Sequence, residues 1–422
     1  MIHSLKKLIP KSVLDVYHRM LAHAADIWYG HPSRRMIVIG VTGTNGKTTT
    51  SYFIAKAIEA AGYKTGCTTT AIMKIGSEEW INKTKMTMPG RFYLQRMLKK
   101  MADAGCRYAV IETSSQGLIQ HRHIGIKYQI AVFTNLTPEH IEAHGGFENY
   151  KKAKRLLFES APTAVLNADS EHAAYYAQTP GLKDVHWFST HTDRGLRAKD
   201  VELRPTGSSF TVDGHRIDLG FPGDYNISNA MAAMTVCKVL GIDLALAAKG
   251  LSEVTRVPGR FERVEEGQPW RVIVDYAPEP ESFRQLYLAL DSMPRTRTIH
   301  VLGSCGGGRD VARRPVLGRM AAERADIVIV TNEDPYDDDP QQIIDQVAAG
   351  AVEAGKVEGK NLFRIADRRE AVFFAMKQAR EGDLVVMTGK GCEPWICVAN
   401  GGKLPWDEVE TAREAIRYVL HP

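Results

Sequence analysis

The segment MIVIGVTGTNGKTTT, residues 36–50, constrains the fold more than any other part of the chain. An apolar run typical of a buried strand leads into a turn of small residues, and a helical pattern begins at Lys47. In such a turn the backbone N–H groups surround an anion, and the positive end of the helix points at it. Lys47 would add a charge near terminal phosphates, and the Thr48 hydroxyl would face magnesium. The strict phosphate-loop spacing is not met, because Val41 stands where the first glycine belongs and Gly43 follows it.

Strand and helix patterns alternate after this loop, which predicts a doubly wound α/β domain with a parallel sheet. The apolar runs YAVIET, YQIAVFTNL and PTAVLNA are its further expected strands. Alternating residues over 199–219 predict a hairpin, and residues 221–240 predict a turn followed by a helix rich in Ala and Met. A second α/β set begins near Phe261 with the runs RVIVDYA, RTIHVLG, ADIVIVTNEDP and DLVVMTG. We therefore expect an N-terminal helix and linker (1–35), a central domain (36–257) and a C-terminal domain (258–422).

Composition narrows the functional classes. The chain has 422 residues, too many for one ordinary core, and its net charge of +5 is spread along the sequence. This distribution disfavours nucleic-acid binding. The six cysteines show no C-x-x-C pair, so a zinc site is not expected. We expect free thiols in a reducing cytoplasm.

The N-terminal segment, residues 8–29, is apolar at helical spacing but carries Lys11, Asp15 and Arg19. It is too polar to span a bilayer. We expect an amphipathic helix packed on the body of the protein. The alternative is a helix that docks on a membrane surface or on a partner protein.

Six motifs, in order along the chain, carry a family resemblance. They are TGTNGKTTT, ETSSQGLIQHR, TNLTPEHIEAHGGFENYKKAK, FPGDYNISNA, VPGRFE and VDYAPEP. This set resembles the ATP-dependent Mur ligases, and within them the MurE type, which adds the third amino acid to UDP-MurNAc-dipeptide. The resemblance implies a phosphate-loop ATPase-type central domain and a Rossmann-like C-terminal domain. It also implies a reaction in which ATP phosphorylates a substrate carboxylate and an incoming amine expels phosphate from the acyl phosphate.

The resemblance implies roles in ATP and magnesium binding for several residues. The nucleotide would contact the loop and three later residues, namely Gly43, Thr44, Asn45, Gly46, Lys47, Thr48, Thr49, Asn229, Arg260 and Asp275. Magnesium would be held by Thr48, Glu112, His140 and Lys154, and Lys47, Glu112, His140 and Lys154 would be catalytic. Lys154 resembles a lysine that is carbamylated in the family, which turns a cation into an anion. The alternative is an ordinary surface lysine beside Lys151, Lys152 and Arg155.

Substrate residues follow from the same resemblance. Thr87, Ser114, Gln120 and Arg122 match positions that hold the muramoyl-peptide. Arg309, Glu333, Asp334, Tyr336, Gly389 and Glu393 match positions around the free amino acid. The segment Glu333–Tyr336 lacks the arginine of diaminopimelate-adding enzymes and is acidic. We therefore expect lysine, ornithine or a similar diamine-type residue rather than diaminopimelate.

Three departures from the family pattern qualify these expectations. Pro278 and Cys392 each replace a histidine. About 35 residues precede the loop, where MurE enzymes carry a domain that holds UDP. We therefore expect weak binding of the nucleotide sugar, help from a partner, or another carrier such as a lipid. Two other functions stay open: a ligase like folylpolyglutamate or cyanophycin synthetase, and a nucleotide-binding module without turnover. In each case a cytoplasmic monomer is expected.

Overall fold

The structure of the chain is a computed structural model that describes residues 11–139 and 141–421. The α-helices of this part are α1 (Lys11–Trp28), α2 (Lys47–Ala60), α3 (Arg91–Asp103), α4 (Ser115–Ile119), α5 (Ile141–His144), α6 (Phe147–Phe158), α7 (Ala173–Ala177), α8 (Asp224–Val239), α9 (Leu244–Ser252), α10 (Pro280–Asp291), α11 (Arg313–Arg324), α12 (Pro340–Glu353), α13 (Arg368–Gln378) and α14 (Glu408–Leu420).

The strands of the first lobe are β1 (Ile37–Thr42), β2 (Thr65–Thr68), β3 (Ile72–Ile75), β4 (Glu78–Ile81), β5 (Tyr108–Glu112), β6 (Tyr128–Phe133), β7 (Thr163–Asn167), β8 (Asp184–Ser189), β9 (Leu196–Arg197), β10 (Lys199–Arg204), β11 (Gly207–Val212) and β12 (His215–Leu219). Those of the second lobe are β13 (Glu262–Arg263), β14 (Arg271–Val274), β15 (Thr298–Leu302), β16 (Ile327–Val330), β17 (Leu362–Arg364), β18 (Leu384–Met387), β19 (Trp395–Val398) and β20 (Gly402–Pro405).

A nine-stranded sheet forms the first lobe, in the order β4-β3-β2-β5-β1-β6-β7-β8-β9. Strands β2 and β5 to β9 are parallel to β1, whereas β3 and β4 run antiparallel at one edge. Strand β1 lies between β5 and β6, with Val41 opposite Glu112 and Thr42 opposite Phe133. The carboxyl ends of these strands therefore meet at one edge, where open α/β sheets place their ligands. Apolar cores cover both faces of the sheet, as the uniformly apolar strand sequences predict.

The segment 199–219 is a three-stranded antiparallel meander of β10, β11 and β12, so the predicted hairpin was one strand short. The alternating pattern was correct. Chain reversals near Gly207 and Gly214 each start a new strand, and two reversals make three strands rather than two. The predicted helix rich in Ala and Met is α8, and most of its residues are buried.

The second lobe contains a six-stranded sheet in the order β13-β14-β18-β15-β16-β17. All of its strands are parallel except β13, which pairs antiparallel with β14. Helices cover both faces with apolar side chains, so this lobe is also a three-layer α/β unit. The mixed α/β architecture predicted from the sequence is confirmed, and all six cysteines are free thiols as expected.

Helix α1 contacts α3, and its Ala22 and Ala25 are buried. Large apolar side chains of α1 are exposed to solvent, at Val13, Val16, Tyr17, Met20, Ile27 and Trp28. Residues 8–10 of the predicted helix lie outside the described residues. None of the helices in the described ranges combines the length and apolar character that crossing a bilayer requires.

Candidate active site

A cavity of about 410 Å³ lies between the two lobes. Twelve residues predicted from the sequence line it, namely Thr44, Asn45, Gly46, Lys47, Thr48, Thr49, Thr87, Glu112, Asn229, Arg260, Asp275 and Arg309. They come from both sheets, so the cavity exists only where the lobes meet. Its volume falls in the range of small-molecule and cofactor sites.

The phosphate loop forms the floor of this cavity, between β1 and α2. Gly46 precedes α2 with φ 79°, a left-handed conformation that favours glycine, and a Cβ there would collide with the Asn229 amide. The Lys47 ammonium donates to the carbonyl oxygen of Thr44 at 2.6 Å. The lysine thus folds over its own loop, where an anion held by the loop would meet its charge.

Glu112, at the end of β5, accepts hydrogen bonds from two threonine side chains. Its Oε2 accepts from the Thr48 hydroxyl at 2.9 Å and from the Thr70 backbone N–H at 2.7 Å. Its Oε1 accepts from the Thr70 hydroxyl at 3.0 Å. The Thr70 hydroxyl lies 2.9 Å from the Thr87 hydroxyl, so a polar chain runs from the phosphate loop to the expected acceptor segment. Thr70 carries no motif, and the sequence did not reveal its part in this chain.

The donor set at Thr48 and Glu112 fits magnesium, because a hydroxyl and a carboxylate are the oxygen ligands that a hard cation prefers. Both side chains are buried and both line the cavity. In residues 11–139 and 141–421, no group of three or more His, Cys, Asp and Glu side chains is arranged to hold a metal ion. The fourth predicted ligand, His140, lies outside the described residues.

Lys154 is buried behind the phosphate loop, which excludes the surface-lysine alternative. Its side chain is 1% exposed, and its ammonium donates to the Gly43 carbonyl at 2.7 Å and lies 4.2 Å from the centre of the Tyr150 ring. Burial, with a further contribution from the charge of Lys47, holds the pKa of Lys154 well below its usual value. Burial therefore favours the neutral amine form of this lysine over the ammonium.

The residues expected near the nucleoside lie on both sides of the cavity. The Asn229 side-chain oxygen Oδ1 accepts from the Thr50 hydroxyl at 3.0 Å, which fixes the side-chain amide beside the loop. The Arg260 guanidinium lies 4.4 Å from the Tyr276 ring centre and 3.4 Å from the Thr48 hydroxyl. Asp275 accepts two backbone N–H groups at 2.6 and 2.8 Å, and burial raises its pKa. Asp275 therefore also holds the backbone of the second lobe in place at Phe261 and Ala277.

The residues expected to hold the acceptor peptide form a separate group around α4. The Ser114 hydroxyl caps α4 by accepting from the Gly117 N–H at 3.1 Å. Arg122 donates to the Gln120 side-chain oxygen at 2.6 Å and to the Met88 carbonyl. Arg91, which no motif indicated, donates to the Gln120 carbonyl.

Arg91 and Arg122 are neighbouring guanidiniums without a carboxylate partner in the described part of the chain. Burial lowers the pKa of both arginines, and the charge of Arg91 lowers that of Arg122 further. The Nε atoms of both are buried and make no hydrogen bond there. Two adjacent, partly desolvated cations of this kind favour an anionic ligand.

In the acidic segment of the second lobe, Glu333–Tyr336, the carboxylate of Asp334 is buried in ion pairs. Asp334 is 3% exposed and pairs with the Lys85 ammonium at 2.5 Å and the Lys390 ammonium at 3.0 Å. Glu393 accepts from the same two lysines at 2.8 and 2.9 Å. The sequence predicted that the acidic segment around Asp334 prefers a cationic side chain, but Asp334 is already paired with two ammonium groups of the protein. Lys85 is distant in the sequence from both carboxylates, whereas Lys390 and Glu393 form an i,i+3 pair, and the two lysines together neutralise the two charges.

The other residues expected around the free amino acid, Glu333, Tyr336 and Gly389, lie outside the cavity lining. The Glu333 carboxylate is buried and accepts from the Cys305 thiol at 2.8 Å. Gly389 has φ 99°, and a Cβ there would collide with this carboxylate. Tyr336 has φ 53°. None of Glu333, Tyr336 and Gly389 is among the described residues that line the cavity, whereas Arg309 is.

Comparison with known proteins agrees with the motifs. Residues 41–237 match the family model described as Mur ligase middle domain, and residues 259–391 match the model described as Mur ligase, glutamate ligase domain. The chain is 40% identical over 416 residues to a UDP-N-acetylmuramyl-tripeptide synthetase of Roseiflexus, covering 94% of this chain and 81% of the relative. It is 37% identical over 422 residues to a UDP-N-acetylmuramoyl-L-alanyl-D-glutamate–2,6-diaminopimelate ligase of Geobacillus thermodenitrificans, covering 97% and 84%.

Solved structures show the same fold. A structure of a UDP-N-acetylmuramoyl-L-alanyl-D-glutamate–2,6-diaminopimelate ligase matches with a TM-score of 0.61 and 30% identity, covering 92% of this chain and 79% of the other. A folylpolyglutamate synthase of Mycobacterium tuberculosis matches with a TM-score of 0.71 at 18% identity, covering 96% and 95%, which shows the fold alone. The resemblance that the motifs predicted is confirmed, and the chain belongs to the Mur ligase family of ATP-dependent ligases.

Proposed function

We propose that this enzyme joins a free amino acid to the terminal carboxylate of a muramoyl-peptide, with ATP as the energy source. The observation that carries the proposal is the shared cavity, in which Lys47, Thr48 and Glu112 of one lobe face Arg260 and Arg309 of the other. A carboxylate oxygen of the peptide attacks the γ-phosphorus of ATP and ADP leaves. The amine of the amino acid then attacks the acyl phosphate, an amide bond forms, and phosphate leaves.

The protein's part in this reaction is positioning and electrostatic stabilisation. Lys47 and Arg260 both line the cavity, and they would balance negative charge on the transferred phosphoryl group. Thr48 and Glu112 would hold magnesium, which supplies charge neutralisation at the phosphate oxygens when bound. His140 is proposed as a further ligand from the sequence motif.

Lys154 is proposed to be carbamylated. Its buried side chain and lowered pKa supply the neutral amine that this modification needs. The amine nitrogen attacks the carbon of CO₂, an N–C bond forms, and one proton leaves to solvent. The resulting carbamate is an anion, so it would attract the magnesium that an ammonium repels.

Arg91 and Arg122 are proposed to bind a carboxylate of the acceptor peptide. Their guanidiniums are partly buried, have no carboxylate partner among the described residues, and each keep an Nε without a hydrogen bond, which supports this role. Ser114 and Gln120 hold the surrounding turn, and Thr87 lies at the cavity end of the polar chain from Glu112. Arg309 is proposed to bind the carboxylate of the free amino acid, because it lines the cavity and forms no ion pair with another described residue.

Several other points stay proposals. The division at 36–257 and 258–422 is supported by the two family models, which match on either side of residue 258. A cytoplasmic location follows from the use of ATP, and the monomeric state is testable by sedimentation. Docking of α1 on a membrane or a partner protein stays a prediction, testable by binding to anionic liposomes with and without residues 1–30.

Phosphate release from ATP tests the proposed function. We expect release that requires UDP-MurNAc-dipeptide together with an amino acid, with a tripeptide product of the corresponding mass. Turnover with a folyl-glutamate acceptor alone would favour the folylpolyglutamate-type alternative. ATP binding without turnover on any acceptor would favour the binding-module alternative.

A further inference from the structure

Lys85 connects the two lobes at one end of the cavity. It lies in the loop between β4 and α3 of the first lobe, and its side chain is 9% exposed. Its ammonium reaches into the second lobe, 2.5 Å from Asp334 and 2.8 Å from Glu393. It also donates to the Trp395 carbonyl at 3.3 Å. Lys85 and Asp334 are 249 residues apart in the sequence, so only the docking of the lobes brings them together.

The charges around Lys85 are balanced. Lys390, which is fully buried, lies 3.0 Å from Asp334 and 2.9 Å from Glu393. Two ammonium groups thus share two carboxylates within one small volume. Removing the cation from a buried ion pair leaves an uncompensated carboxylate, which costs free energy. Another cation that can enter the site will then take the place of the one removed.

The backbone at this contact is also unusual. Lys85 has φ 54° and Tyr336, in the facing segment, has φ 53°. Residues other than glycine rarely adopt this left-handed conformation, and such strain tends to concentrate where a side chain must be aimed at a site. Lys85 thus combines a left-handed backbone conformation with two ion pairs to the second lobe.

Lys85 separates the carboxylates from the cavity. Among the described residues, Lys85, Cys305 and Arg309 line the cavity, whereas Asp334 and Glu393 do not. Lys85 and Arg309 thus border the same cavity, and an amino acid whose own carboxylate meets Arg309 shares that cavity with the Lys85 ammonium. A cationic side chain would find no free carboxylate there and would be repelled by a like charge.

We propose that Lys85 is a specificity-determining residue of the amino-acid site. Its ammonium occupies the place beside Asp334 and Glu393 that a cationic substrate side chain would take. The enzyme consequently selects an amino acid with a neutral or zwitterionic side chain over lysine or ornithine. This inference rests on the proposed function, and it reverses the preference that the acidic sequence alone suggested.

The variant Lys85→Ala tests the proposal, because it opens a space that leads to Asp334 and Glu393. We compare kcat/KM for L-lysine and meso-diaminopimelate, and the dissociation constant of L-lysine by calorimetry with ADP, magnesium and UDP-MurNAc-dipeptide present. The wild type should favour diaminopimelate. In Lys85→Ala the ratio should move toward lysine by at least about tenfold, and lysine should bind at least about tenfold tighter.

Lys83→Ala is the matched control, since Lys83 is exposed in the same loop and should behave as the wild type. If Lys85→Ala does not fold, Lys85→Gln keeps most of the side-chain volume and serves the same comparison. A wild type that prefers lysine, or variants whose lysine affinity stays within twofold of the wild type, would overturn the proposal. Calorimetric binding does not require turnover, so failure of this inference is distinguishable from failure of the proposed function.

Discussion

The Lys154 ammonium lies 2.7 Å from the carbonyl oxygen of Gly43, directly behind the phosphate loop. A residue on α6 thereby touches the loop that precedes α2, and its nitrogen has no carboxylate within ion-pair distance among the described residues. The backbone carbonyl satisfies one N–H donor but supplies no full negative charge. Such a lysine suits chemistry that needs an uncharged amine.

The first prediction concerns activity after removal of this amine. Lys154→Ala should lower kcat by at least about 100-fold, because the loss of one preorganised charged group at a transferring phosphoryl costs that much. A short carboxylate such as propionate should restore part of the rate if a carbamate supplies the charge. Full activity of Lys154→Ala in steady-state phosphate release would contradict the proposed role. Lys152→Ala, on the exposed side of α6, is the matched control.

The second prediction concerns Glu112. Glu112→Gln keeps the shape of the side chain but removes its charge, so it should lower kcat by roughly 100- to 1000-fold. The magnesium concentration that gives half-maximal rate should rise, because a neutral amide is a weaker ligand for a hard cation. A magnesium titration of phosphate release measures both effects. An unchanged titration curve would show that Glu112 does not hold the metal.

The third prediction concerns the guanidinium pair. Arg91→Ala and Arg122→Ala should each raise KM for the acceptor by roughly 10- to 100-fold, the worth of a charge-assisted hydrogen bond. The melting temperature should fall little, since each variant also relieves repulsion between two like charges. Arg96→Ala is the control, because Arg96 is exposed on the same helix and stacks on Tyr93. Equal KM values in Arg91→Ala and Arg96→Ala would exclude Arg91 from the acceptor site.

The fourth prediction concerns stability in acid. His300 is buried between the Tyr287 hydroxyl at 2.6 Å and the Thr388 hydroxyl at 2.9 Å, and burial lowers its pKa to about 3. The unfolded chain keeps a histidine pKa near about 6.5, so between these values the unfolded state binds more protons. The free energy of unfolding should therefore fall as pH drops from about 6.5 toward 3, by up to about 1.4 kcal/mol per pH unit from this residue.

Urea unfolding at pH 4.5 and 6.5 measures this dependence. His300→Gln keeps a polar side chain but cannot take up the proton, so the difference between the two pH values should shrink. The same difference in wild type and variant would mean that other groups cause the loss in acid.

Much of the fold was predictable from sequence, because parallel strands that are buried on both faces have continuous apolar sequences. The meeting of Thr48 and Glu112 was predictable for the same reason. Glu112 is the last residue of its strand and Thr48 follows the loop after the adjacent strand, and the register of a parallel sheet brings those strand ends together. A hairpin was predicted at 199–219 instead of the three-stranded meander, because an alternating pattern identifies strands but does not show how many turns separate them.

The sequence by itself determined the phosphate loop, the two α/β lobes and the family, since each depends on local patterns or on motifs in a fixed order. Only the tertiary structure decided that Lys154 points inward, that Arg91 lies beside Arg122, and that Lys85 neutralises Asp334. These arrangements depend on how helices and lobes pack, and the residues involved carry no local signal of their partners. A charged side chain can face water or pair with a counter-ion that is distant in the sequence. The partners of the acidic side chains at 333–338 could therefore not be predicted from the sequence.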